Sequence, residues 1–258
     1  MEVLKAIHVH LHVPSIALLR HSSVSVRCTV LANAAFWTAS ILCLYADHLT
    51  SKNKSAWLLR CKIQPKVHLS NRDRFDLICL TWFNMIIVAF FICCPVYDWI
   101  WNMTQGTRRL TDSDAWIWHD ELLIKVPIHI LVTDISFYAV HYLLHSNNFL
   151  YRHIHKVHHR FRAPTAACCV YAHPIEFAIG NVFPIYLGPI LTNAHPKTCY
   201  GWWIMAMLGT CKGHCGYRIL DRVDPHDMHH QLSTYNFGGL PLFDYLFGTA
   251  VLKSDKPD

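Results

Sequence analysis

The chain has 258 residues, 53% of them apolar and only 16% charged, against about 25% charged in an ordinary soluble domain. That composition excludes a disordered chain, and the length suits one functional unit. The net charge of +6 comes from 23 basic and 17 acidic residues scattered in short loops, not from a basic face alternating with aromatics, so nucleic acid is disfavoured as a partner.

The first 27 residues hold His8, His10 and His12 at alternating positions that match no metal-ligand spacing, and they fit a cleaved signal peptide poorly. Two uncharged stretches then meet the length needed for a membrane-spanning helix, Cys28 to Ala46 and Leu77 to Tyr97. A third, Leu122 to His145, is apolar along most of its length but carries Lys125 near its start, Asp134 inside, and His141 and His145 at its far end. From Glu176 to Lys212 the only charge is Lys197, and Gly180, Pro184, Gly188, Pro189 and Pro196 break this run into two short arms. Two arms predict a helical hairpin, deeply embedded or re-entrant, rather than one straight span. The fold class expected is therefore all-α, an integral membrane helical bundle of about three spans plus a hairpin, with a cytosolic helical cap carrying the histidines.

Basic residues in short loops stay on the cytosolic side. The loop from Asp47 to Asp76 holds Lys52, Lys54, Arg60, Lys62, Lys66, Arg72 and Arg74, whereas Asp98 to Glu121 holds only Arg108 and Arg109 beside five acids. The first loop thus faces the cytosol, and the chain returns to that side near His145 and again near Lys212. The N-terminal 27 residues fall on the other side. The 11 cysteines are odd in number and include the adjacent pairs Cys93-Cys94 and Cys168-Cys169, while Cys28, Cys43 and Cys79 sit in apolar runs. They read as small buried hydrophobes, not a disulfide framework. No C-x-x-C pair occurs, and Cys211 and Cys215 are four apart, so a thiolate zinc site is unsupported.

Twelve of the 20 histidines lie between positions 141 and 230. His141 and His145 are four apart, and both His155, His158, His159 and His226, His229, His230 stand at i, i+3 and i+4, so each set shares one face of a helix. Asp224 and Pro225 supply an N-cap and a first-position proline for the last set. Eight clustered imidazoles exceed the needs of one metal ion and point to two, with His214 and His173 as further candidates near the hairpin. Imidazole suits iron, copper, zinc or nickel alike. The carboxylate-bridged pattern of Glu plus Glu-x-x-His is absent.

Topology sets His195 at the hairpin tip, across the membrane from the clusters, and His129 lies about 18 Å of helix before His141. His153 points off the face of its neighbours, and His21, His48, His68 and His119 fall outside too. Metal-bound imidazoles donate their second ring N–H to a carboxylate or carbonyl. Asp134, two turns before His141, is the first carboxylate candidate for that task, and Glu176 and Asp227 follow.

The segments HYLLH (141–145), HKVHH (155–159), YAHPIE (171–176), GHCGY (213–217) and HDMHH (226–230) resemble, in order and spacing, the fatty acid hydroxylase and sterol desaturase superfamily. NFGGLPLFDYLFGT (236–249) looks like that family's closing segment, and HPIE and GHCGY are most similar to the methylsterol monooxygenase and cholesterol 25-hydroxylase branch. The resemblance covers roughly residues 125 to 250, which divides the chain into a membrane-anchor region (1–120) with two spans, a catalytic domain (121–250) and a tail (251–258).

What the resemblance implies is two iron ions that activate dioxygen to hydroxylate or desaturate a lipid, a sterol first and a fatty acyl or sphingolipid chain next. The ligands would be His141, His145, His155, His158, His159, His214, His226, His229 and His230, with His173 in addition. Trp202, Trp203 and Phe237 would form a hydrophobic wall. The chain has no G-x-G-x-x-G loop and no haem motif of a fused cytochrome b5, so electrons would come from NAD(P)H through an external cytochrome b5 and its reductase at the endoplasmic reticulum. Lys156, Arg160, Arg162, Arg218 and Arg222 are the basic residues able to meet an acidic carrier or lipid headgroups. Two rival readings make different demands. A histidine-rich metal transporter needs ligands at mid-membrane and carboxylates in several spans, and a bis-histidine cytochrome needs single facing histidines within the bilayer.

Overall fold

The computed structural model describes residues 22–105, 111, 114–218 and 224–251. His8, His10, His12, His21, Arg108, Arg109, Arg222 and the tail from 252 onward lie outside the described residues.

The first uncharged stretch forms α1 (Val24–Ser51), whose start is fixed by the Ser23 hydroxyl accepting the Val26 N–H at 3.4 Å. After the short α2 (Ala56–Cys61) come α3 (Asn71–Thr104) and α4 (Trp118–Ser146), which contain the second and third predicted spans and run several residues beyond them. Short α5 (Asn148–His153) leads into tight turns at His155–Arg160 and Ala166–Val170. The hairpin is present as α6 (Pro174–Thr192) and α7 (Pro196–Gly213). Its break is narrower than the prolines suggest. Pro184 and Pro189 are carried inside α6, and only Asn193, in the left-handed conformation, and the two residues after it turn the chain. Two short helices close the chain, α8 (Pro225–Leu232) and α9 (Pro241–Phe247).

Among the described residues four helices, α1, α3, α4 and α6, are long and apolar enough to cross a membrane. Their outward faces carry Leu42, Phe91, Trp99, Leu123, Leu131 and Leu191, each at least two-fifths exposed, as lipid contact requires. Helix α1 packs along α7 and α4 along α6. The helical membrane bundle is therefore as expected, the fourth spanning candidate being the first arm of the hairpin.

The basic first loop and the histidine-bearing segments meet at one end of the bundle. Ile63 N donates to Gly216 O (3.0 Å), Arg218 N donates to Cys61 O (2.8 Å), and buried Lys62 pairs with Asp47, which also accepts the Tyr217 hydroxyl at 2.8 Å. At that end α3 steadies the histidine turns. Buried Asn84 donates to Val170 O and Ala172 O (3.0 and 2.9 Å), and Asp73 and Asp76 hold Arg160 (2.8 and 2.9 Å). Arg160 is therefore a brace rather than a free docking cation, while Lys156, Arg162 and Arg218 remain exposed.

Candidate metal centre

Nine histidines converge in two groups at this end of the bundle. His141, His145, His155, His159 and His229 form the first, and His158, His214, His226 and His230 the second; within each group one ring nitrogen per residue lies within 4.8 Å of all the others. Both triplets that share a face in the sequence are divided between the groups, whereas His141 and His145 stay together in the first. In the tight turn at His155–Arg160, His155 and His159 serve the first and His158 the second. In α8, started by the Asp224 carboxylate accepting the His226 N–H at 3.0 Å, His226 and His230 serve the second and His229 the first. The groups adjoin, the rings of His159 and His230 lying 4.9 Å apart.

The second ring nitrogens fix the tautomers. Nδ1 of His141 lies 2.6 Å from Phe237 O, that of His229 2.6 Å from Tyr235 O, that of His158 3.2 Å from Tyr171 O and that of His214 2.9 Å from Thr210 O. A carbonyl only accepts, so each Nδ1 carries the proton and each Nε2 presents a lone pair. His155 is held the same way by the Glu176 carboxylate, at 2.7 Å. Yet these Nε2 atoms face one another, at 3.2 Å between His141 and His155 and 3.3 Å between His158 and His214. Two lone pairs at that distance repel unless a cation lies between them. His230 sharpens the point, being buried with neither ring nitrogen hydrogen-bonded. Burial pulls His155 and His158 down to about 3 and His214 to about 4, which keeps these imidazoles neutral and able to ligate. Two nitrogens on one ion at about 2.1 Å stand at most about 4.2 Å apart. Both groups fit a metal ion with small adjustment.

Of the three carboxylates predicted to orient ligands, the structure gives that contact to Glu176 alone. Asp134 accepts the Leu240 N–H at 2.7 Å and so ties the closing segment to α4, because the His141 ring already has the Phe237 carbonyl. Asp227 accepts from Gln231 at 3.0 Å, one turn along its own helix. His173 lies outside both groups, its Nδ1 accepting the Ile175 N–H at 3.3 Å as the cap of α6. His195 sits at the opposite end, bonded to Lys197 N and Asp114 O (both 3.1 Å), as topology demands.

The sequence reading missed Asp244. Its carboxylate accepts the N–H groups of Phe237 and Gly238, each at 2.8 Å, and so holds the peptide whose carbonyl orients His141. The signal was the closing segment itself, where Gly238 is obligatory: a Cβ there would lie 2.5 Å from Leu240 O. Phe237 lays its ring against His141, His145 and His229, at 5.2 to 5.9 Å between centroids.

Both groups open on one cavity of about 350 Å³ between α4, α6 and α7, lined by His141 and His155 from the first and His158, His214 and His226 from the second. Its walls below the histidines are largely apolar, because Thr133 turns to Pro184 O, Asn181 to Cys169 O, Thr210 to Ala206 O and the Trp202 indole to Ile185 O, while Asp134 keeps one buried carboxylate oxygen without a partner. Trp202 belongs to this wall, whereas Trp203 packs on Tyr186, 4.4 Å away, outside it.

Comparison with known proteins agrees with this geometry. Residues 126–249 match the family model described as fatty acid hydroxylase. The chain is 33% identical over 201 residues to a fatty acid hydroxylase of Mycosarcoma maydis, covering 76% of this chain and 50% of that protein. It is 32% identical over 172 residues to a fatty acid hydroxylase domain-containing protein of Homo sapiens (66% and 50%) and 32% identical over 159 residues to a methylsterol monooxygenase of Arabidopsis thaliana (56% and 58%). The chain thus spans about half the length of the first two relatives. No solved structure matches it. The matched segment, which holds all nine clustered histidines, Glu176 and Asp244, is a domain of the fatty acid hydroxylase family.

Proposed function

We propose that this protein is a membrane-bound oxygenase that uses two iron ions to hydroxylate or desaturate a lipid. The observation that carries the reading is the opening of two all-imidazole groups onto one largely apolar cavity within a membrane bundle. The first iron would be held by His141, His145, His155, His159 and His229 and the second by His158, His214, His226 and His230. When bound, the metals supply reductive activation of dioxygen, the chemistry needed to take hydrogen from an unactivated C–H bond.

The remaining tasks fall to the protein. Glu176 and the carbonyls of Phe237, Tyr235, Tyr171 and Thr210 keep the ligand protons on Nδ1 and aim Nε2 inward. Phe137, Ile185 and Trp202 line a wall that accepts hydrocarbon and excludes water from the reacting carbon. We place the histidine end in the cytosol, at the endoplasmic reticulum, on the basic loop that shares it. There an external carrier of the cytochrome b5 type would deliver electrons from NAD(P)H, with exposed Lys156, Arg162 and Arg218 around the site. The substrate class we propose first is a sterol, on the His-Pro-Ile-Glu and Gly-His-Cys-Gly-Tyr segments. The fatty acid hydroxylases among its relatives favour a fatty acyl chain as the alternative.

The test is product analysis by mass spectrometry in membranes supplied with iron, NADPH, a cytochrome b5 chain, sterols and acyl lipids under labelled dioxygen, beside His229→Ala. Label in a lipid alcohol that the variant does not form establishes a hydroxylase and its substrate, and an unlabelled new double bond establishes a desaturase. No product from either lipid class with both metals bound would overturn the reading.

A further inference from the structure

The cavity has a floor. On α4 its lining runs from Leu144 past the ligand His141 back to Ile130, 11 residues before that ligand, and on α7 from Gly213, beside the ligand His214, back to Trp202. The α7 interval is also 11 residues, so both helices independently set the floor about 16 Å from the metal-ligand level. The Trp202 ring closes that floor in a fixed orientation. Its indole N–H donates to Ile185 O at 2.9 Å, and its ring packs in a T-shaped contact with the fully buried His129 ring, 5.5 Å between centroids. Beneath it the helices close up. His129 bonds Thr192 at 2.8 Å, and a Cβ added to Gly188 would lie 2.7 Å from the His129 Cα, so α4 and α6 leave no room for the cavity to continue.

The two ends of the cavity differ in chemistry. The floor is Ile130, Ile185 and the Trp202 indole, with the buried Asp134 one turn above it, whereas the histidine end carries Lys212, more than half exposed and paired with Asp224 at 3.0 Å. A lipid therefore lies with its polar head at the histidine end, where Lys212 is exposed, and its hydrocarbon terminus downward, since in the reverse pose a buried head would find only the one unpartnered oxygen of Asp134 above the floor.

We infer that Trp202 is a measuring floor: the buried hydrocarbon end of the substrate rests on it, and the oxidised carbon is selected by its distance from that end, about 16 Å of hydrocarbon away, rather than by its distance from the headgroup. The inference rests on the lipid-oxygenase reading and adds to it the orientation of the substrate and the residue that sets position.

Two measurements on the full chain in lipid vesicles test it. The first needs no turnover: an acyl lipid and a sterol, each with a diazirine at its hydrocarbon terminus, are photolysed and the labelled residues mapped by mass spectrometry. Label from either probe on Trp202, Ile185 or Ile130 is the expected result. Label confined to the histidine end, or none in the cavity, overturns the inference even if the enzyme oxidises lipid. The second uses saturated acyl lipids of increasing length with one headgroup, or sterols of increasing side-chain length if those are the substrates. The wild type should oxidise at a constant distance from the hydrocarbon end, and Trp202→Ala should shift the site toward the headgroup. A site at constant distance from the headgroup, unmoved by Trp202→Ala, overturns the floor. Gly209→Leu guards against a misfolded Trp202 variant: Gly209 lines the cavity midway along α7 at an exposed position where a Cβ meets nothing within 4 Å, so a leucine there fits without clash and narrows the cavity above the floor. It should lose label at the floor from both probes while keeping both metals. Absence of any product from the wild type, with floor labelling intact, would count against the oxygenase reading alone.

Discussion

The two ends of this bundle bury the same kinds of side chain to opposite effect. At the end away from the site, His195 is as deeply buried as His155, each only 1% exposed. There the charges of Glu121 and Lys125 and both ring nitrogens of His195 have partners within the protein. Glu121 takes Lys125 at 2.6 Å and the His195 N–H at 3.1 Å, while His195 is bonded through both ring nitrogens. At the other end five of the nine clustered rings are anchored through Nδ1, and their Nε2 lone pairs are turned on those of other clustered histidines. Burial of histidine therefore marks no site by itself. The site is marked by acceptors aimed at acceptors, an arrangement stable only around cations.

The sharpest way to break this contrast is to remove a buried histidine at each end. His155→Ala should lower lipid oxidation by more than about 100-fold and release metal from the first group, read by product analysis and metal content. Next in size, Glu176→Gln removes the carboxylate from His155 while keeping its shape, and should cost about 10- to 100-fold in activity or metal affinity. Gly238→Ala should act through the closing segment. Its Cβ would meet the Leu240 carbonyl and the Asp244 carboxylate at 2.5 and 2.9 Å, and we expect a loss on the order of 2 kcal/mol, seen as a lower midpoint of thermal unfolding in detergent. The smallest effect is expected from His195→Ala. It removes a helix cap and should cost about 1 kcal/mol with metal content unchanged. Loss of metal from that variant would erase the distinction between the two ends.

Much of this was legible before any coordinates. Uncharged length identified the spans, and the charge of the 47–76 loop set that loop and the histidines at one end. Helical spacing collected eight of the nine clustered histidines, and His214 was added by its place beside the hairpin. What spacing could not reveal is the division of each triplet between two groups. Residues at i, i+3 and i+4 share a face in the α-helix assumed, but His155–Arg160 is a tighter turn, and a ligand's group depends on which neighbours arrive from other helices. Main-chain acceptors are likewise invisible in side-chain patterns, so Asp134 was assigned to a ring that Phe237 O already holds. Asp244 was missed because it works through a peptide rather than on a ring.

The most direct test of the two-group arrangement is the metal content of the purified full chain expressed with iron, beside His229→Ala and His214→Ala. Two ions per chain in the wild type, falling to one in each single variant, with imidazole nitrogens as the dominant neighbours in X-ray absorption, are the results expected from the two groups. One ion or none in the wild type, or two retained in both variants, would contradict them.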